Sequence, residues 1–139
     1  MSNVQCGPDV AEAEFEKFCR LMDLDVETEH MSAEDLKSFE SIKRRICRAI
    51  ERGHVQVKDT GEPVFHPQAG DDADDREPIT FHEPTGATIL ALDSAKEGQS
   101  VHKAFAALAE FTRQPAARYS RMANRDFKVC QALMTLFLA

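Results

Sequence analysis

Tryptophan is absent and tyrosine occurs once, so the 9 phenylalanines must supply the large aromatic side chains of any core. No apolar run approaches the roughly 18 residues needed to span a bilayer, which excludes a helical membrane anchor in this stretch. The opening residues, Met1 to Pro8, lack both a basic region and an apolar stretch, so no secretory signal is read. These two absences lead to the expectation of a cytoplasmic protein with no membrane partner. The 4 cysteines, Cys6, Cys19, Cys47 and Cys130, form no Cys-x-x-Cys pair, which removes the usual zinc and redox spacings. Cys19, Cys47 and Cys130 fall on or beside apolar helical faces and read as buried free thiols. Nucleophile elbow, phosphate loop and dinucleotide fingerprint are missing as well. The expectation is a protein that is not an enzyme, with no catalytic residue, no cofactor and no metal.

An excess of positive charge is also lacking. The net charge is -7, which suits general phosphate-backbone binding poorly, and no nucleic-acid partner is expected. The charge is unevenly spread. Residues 79–139 hold 7 Lys/Arg against 5 Asp/Glu, and all the remaining acidic excess lies in residues 1–78. This asymmetry can steer a partner or simply aid solubility.

What is present is enough for one domain, or one domain with an appendage: 139 residues, of which 42% are hydrophobic. Ala11, Phe15, Phe18, Cys19 and Met22 follow one helical face and predict a helix from about 9 to 23. Ser32, with Asp35 three residues on, predicts the capped start of a second helix. Leu36, Phe39, Ile42, Ile46, Ala49 and Ile50 form its apolar stripe, and Gly53 is placed to end it. Arg44, Arg45, Arg48 and Arg52 cluster on the opposite face. They read either as a binding surface or as a solvated face paired with the acids of the first helix.

Residues 54–58 and 62–66 alternate apolar and polar around Asp59-Thr60-Gly61, the signature of a hairpin. Pro63 argues that its strand lies at an edge. Residues 67–78 read as a turn-rich acidic loop. Ala73 stands where a calcium loop needs an oxygen ligand, so the loop reads as solvated. Residues 79–83 alternate again and offer a third strand. If the strands pair, His54, His66 and His82 can converge as metal ligands, but they lack the short spacings of a His-rich site.

Thr85 can cap a helix bearing Ile89, Leu92 and Ala95, which Gly98 breaks. Ser100 caps the next, Pro115 opens a short helical piece, and Asn124 caps the last helix. Phe127, Cys130, Leu133, Met134, Phe137 and Leu138 give that last helix an apolar arc too wide for a surface helix. Such a helix is either central to the core or half covered and open to a partner. Asp93 and Asp126 read as carboxylates that cap or join neighbouring helices.

The fold expected is α+β, mainly helical, with a small antiparallel sheet (hairpin plus third strand) over residues 54–83. Two helices precede the sheet and three or four follow. The division expected is an N-terminal helical pair, 1–53, and a sheet with C-terminal helices, 54–139, forming one compact unit. The weakest seam lies near Gly53.

In residues 79–139 the order of features resembles the tail assembly chaperones of Mu-like and other long-tailed phages. The residues that carry the likeness are Phe81-His82-Glu83-Pro84-Thr85-Gly86 at the strand end, Leu92-Asp93 in the next helix, and Arg125-Asp126-Phe127 in the last. The apolar end, Ala132-Leu133 and Leu136-Phe137-Leu138, completes it, and the hairpin fits the small sheet that precedes this pattern. Residues 9–52 depart from it. The resemblance implies a protein that binds the tape measure protein, a long apolar helical chain, and keeps it soluble until tail tube subunits replace it, in the host cytoplasm if phage or prophage encoded. The partner surface expected on this reading is Phe105, Phe111, Phe127, Leu133, Met134, Phe137 and Leu138, with self-association also open. An alternative is a phage or prophage adaptor or structural protein that uses Arg44, Arg45, Arg48 and Arg52 on an acidic partner or nucleic acid. A small enzyme built from scattered His and Asp residues is the least favoured reading.

Overall fold

The computed structural model describes residues 5–24, 28–70, 73–90 and 101–137. Helix α1 spans Pro8–Leu21 and α2 spans Ala33–Glu51. Both follow from the apolar spacing noted above, and α2 begins where expected, with the Asp35 N–H donating to Ser32 Oγ at 3.1 Å. Arg52 caps its C-terminus, followed by Gly53 with φ of 78°, the left-handed backbone that a Cβ disfavours.

Three short strands follow: β1 (Val55–Val57), β2 (Pro63–Phe65) and β3 (Ile79–Thr80). They form one antiparallel sheet in the order β1-β2-β3. Val55 pairs with Phe65, and Phe65 pairs in turn with Ile79. The β1–β2 loop closes with the Gly61 N–H donating to the Lys58 carbonyl at 2.8 Å. Gly61 is required there twice over. Its φ is 95°, and a Cβ would lie 2.5 Å from Leu21 Cβ at the end of α1.

Pro63 does not mark an edge strand: β2 is the central one. As the first residue of the strand, its missing N–H falls at the end of the ladder, while its carbonyl still accepts from the Phe81 N–H at 2.9 Å. The described part of the acidic loop has local structure. Asp74–Arg76 form a 3-10 turn, and the Arg76 guanidinium donates to the Gly70 carbonyl at 2.8 Å.

A helix α3, described over residues 86–90, follows the Glu83-Pro84-Thr85 turn. Thr85 and Thr88 hydroxyls lie 3.2 Å apart, and Thr88 Oγ1 also accepts from the Thr85 N–H. Leu92, Asp93, Ala95, Gly98 and Ser100 lie outside the described residues. Helix α4 is Val101–Thr112, α5 is Ala116–Arg121 and α6 is Asn124–Phe137. The first turn of α6 starts one residue earlier than expected, because the Phe127 N–H donates to the Ala123 carbonyl at 2.9 Å. The fold is thus mainly helical α+β, with the small antiparallel sheet set between a leading helix pair and the later helices. Among the described residues no helix is long and apolar enough to cross a membrane.

The core is continuous from the first helix to the last. Phe15, Phe18, Ile46 and Ile50 from α1 and α2, Val55, Phe65 and Ile79 from the sheet, and Leu108, Phe111, Leu133 and Phe137 from α4 and α6 are all buried in one cluster. Phe137 sits at its centre, with its ring 5.3 Å from Phe18 and 5.1 Å from Phe111. The wide apolar arc of α6 therefore faces inward on several sides, against α1, α2 and α4.

Candidate functional site

The first candidate surface is the apolar end of the chain, and most of it is sealed. Phe111, Leu133, Met134 and Phe137 are 0–7% exposed, so they are core residues and offer no docking face in this fold. Phe105 and Phe127 are half-buried and pack edge to face at 5.4 Å, so each covers the other. Leu138 lies outside the described residues. The physical reason for the correction is the first helix. Phe18 meets the last turn of α6 and fills the space that the sequence left open for a partner.

The second candidate surface is the arginine face of α2. Arg44, Arg48 and Arg52 recur every four residues, with Arg45 three before Arg48, which places them in one stripe along the helix. They do not pair with the acids of α1. Glu12 is taken by Lys43 at 2.6 Å and Glu14 by Lys17 at 2.8 Å. Among the described residues, no ion pair joins any of these arginines to a carboxylate.

The stripe forms one wall of an open groove of about 760 Å³. The first turn of α6 supplies the opposite side, with Arg125 and Lys128. Val129 lies half-buried between the walls, with the buried Ala49 and Phe65 beneath. All 6 cationic side chains are exposed and face the same space, against a single carboxylate, that of Asp126.

That carboxylate is committed to the fold. Asp126 is buried, and its two oxygens accept the backbone N–H groups of Gln68 and Ala69 at 3.0–3.1 Å. It thereby clamps α6 to the segment leaving β2. The expectation that Asp126 joins structural elements holds in kind, although the element it joins is a loop rather than a helix. His54, beside the groove, has its pKa lowered, first by burial and then by the nearby Arg52, with Arg125 adding to the effect and Asp126 opposing it.

The three histidines do not converge. The pairing of β1 with β2 brings the His66 N–H to the His54 carbonyl at 2.7 Å. His66 Nε2 lies 3.0 Å from Gln56 Oε1, and His82 Nδ1 lies 3.1 Å from Glu62 Oε2. Among the described residues, no group of three or more His, Cys, Asp or Glu side chains is placed to hold a metal ion. All 4 cysteines are free thiols. Burial pushes the Cys19 and Cys47 thiols up to about 11, and raises Cys130 further, so none is a ready nucleophile.

Two features escaped the sequence. Arg118 is buried and ties α5 to the acidic loop through the carbonyl of Glu77, with a second bond to Gln114 Oε1 at 3.0 Å. Its neighbours, Ala116, Ala117 and Tyr119, gave no sign of this, because its partner carbonyl is 41 residues away. The other is the second basic side of the groove. Arg125 and Lys128 are a visible i, i+3 pair, but only the packing of α6 on α2 brings them opposite the arginine stripe.

No family model matches the chain, and neither the curated proteins nor the solved structures contain a match.

Proposed function

We propose that the protein is a non-catalytic binding protein of the tail-assembly-chaperone kind, which keeps an unassembled, apolar helical chain such as a tape measure protein soluble. The reading rests on the ordered likeness in residues 79–139, and one observation gives that likeness physical sense. The Arg125-Asp126-Phe127 motif is a joint: Asp126 fastens the last helix to the segment between β2 and β3. The Glu83-Pro84-Thr85 turn is a second joint, where the strand passes into α3 through paired threonines. A sheet followed by helices is the order of elements that the resemblance implies.

A long unassembled helical stripe aggregates unless it is covered, and many small acidic copies would both cover it and repel one another. No bond is made or broken in this role. The test is co-expression of the full chain with a candidate tape measure fragment. The expected outcome is transfer of the fragment from pellet to supernatant, with co-purification of the two. A fragment that stays insoluble, or that an unrelated acidic protein solubilises equally, would sink the reading.

One observation favours a second function, that of an adaptor for an acidic partner. The exposed arginines of α2 face an open groove and are not consumed by ion pairs among the described residues. Salt-sensitive capture of an acidic protein, without any effect on the solubility of an apolar helical chain, would select it.

A further inference from the structure

We infer that the groove between α2 and α6 is the docking site for an acidic helix of a partner protein, one that carries carboxylates on both flanks. The inference rests on the protein's being a binding module. It replaces the sealed apolar surface with a charged one.

Charge complementarity identifies the occupant. The walls carry Arg44, Arg45, Arg48 and Arg52 on one side and Arg125 and Lys128 on the other. Guanidinium groups on both sides of a trough suit carboxylates on both flanks of a helix, each taken by a forked pair of N–H donors. The one carboxylate in the lining, Asp126, is satisfied by backbone N–H groups and does not neutralise the rim.

Val129 is half-buried between the walls, while Ala49 and Phe65 are sealed in the core there, so the charges of the rim and the length of the groove choose the occupant. The lining of α2 runs from Ser41 to Arg52. At a rise of 1.5 Å per residue that is about 16 Å, or three turns, the length of a short helical recognition segment. Duplex DNA fits less well. The chain carries a net charge of -7, and a phosphate backbone is the ligand it repels most at long range.

The probe is a synthetic helical peptide of about three turns, with Glu on both flanks and Ala elsewhere. Controls are the same peptide with Lys for Glu, and a short DNA duplex. The full-length wild-type chain should bind the Glu peptide and not the Lys peptide. Affinity should fall severalfold between about 50 and about 200 mM salt. Arg45→Glu/Arg48→Glu, at exposed positions, should lose at least about tenfold in affinity with circular dichroism unchanged. Arg125→Glu/Lys128→Glu, on the other wall, should do the same and covers the case in which the first variant misfolds.

Amide shifts of the wild type on adding the Glu peptide should map to residues 41–52 and 124–129. The inference is overturned if the wild type does not bind the Glu peptide, if folded variants bind it unchanged, if shifts fall elsewhere, or if the duplex binds more tightly. These outcomes separate from the chaperone test. If the wild type solubilises a tape measure fragment but does not bind the Glu peptide, the chaperone reading stands and the groove falls. If the wild type binds the peptide through the groove but solubilises no such fragment, the groove stands and the chaperone reading falls.

Discussion

Asp126 is the residue on which the C-terminal half is hung. A buried carboxylate is tolerable only when its oxygens are satisfied, and the N–H groups of Gln68 and Ala69 satisfy both. Asn in its place keeps the shape but turns an amide toward one of those donors and removes the charge from both bonds. Asp126→Asn should therefore cost about 2 kcal/mol in urea unfolding. A change below about 0.5 kcal/mol would show that the clamp contributes little. The sequence displayed Asp126 as a carboxylate in an apolar helix, which is why a joining role was legible. Its partners were not, since the donors are backbone N–H groups and leave no mark on residue identity. Arg118 makes the same point more strongly. It reads as an ordinary surface arginine, yet it is buried against a main-chain carbonyl.

Among the elements, the helices were the most legible, because an apolar stripe of period 3.6 and a cap are local signals. Helix α2 shows both, with Ser32 at one end and Gly53 beyond the other. The strands were found, but Pro63 misled about their order. Its strand is central because a proline at the first position leaves the ladder nearly intact. The hairpin carries an acid sensitivity that belongs to the element. Burial lowers the pKa of His54 and of His66, helped by Arg52 at the first and by His54 at the second. Both groups then bind protons less readily in the folded chain than in the unfolded one, whose ordinary value is about 6.5. Their contribution is fully present above that value and is lost as the pH falls through and below it. The melting temperature should drop between about pH 7 and about pH 5.5, and His54→Gln/His66→Gln should flatten that drop. An equally steep fall in the double variant would assign the sensitivity to other groups.

For the whole molecule, the open question in the sequence was whether the apolar arc of α6 closes on the chain itself or on a partner. Periodicity cannot answer it, because Phe18 and Phe137 meet across 119 positions of sequence, and nothing local connects them. The answer binds the two halves together. The helix pair contributes Phe15, Phe18, Ile46 and Ile50 to the shared core. At about 1.5–3 kcal/mol for each large apolar side chain, these four account for roughly 6–12 kcal/mol of burial, as much as a whole domain's net stability. Residues 54–139 alone should therefore fail to fold cooperatively. They should keep helical far-UV dichroism, bind a hydrophobic dye, and show no sharp thermal transition. A fragment that melts sharply would mean that the seam near Gly53 is a true domain boundary. Phe137 would then be free to meet something other than Phe18, and the apolar end of α6 would return as a surface for a partner helix.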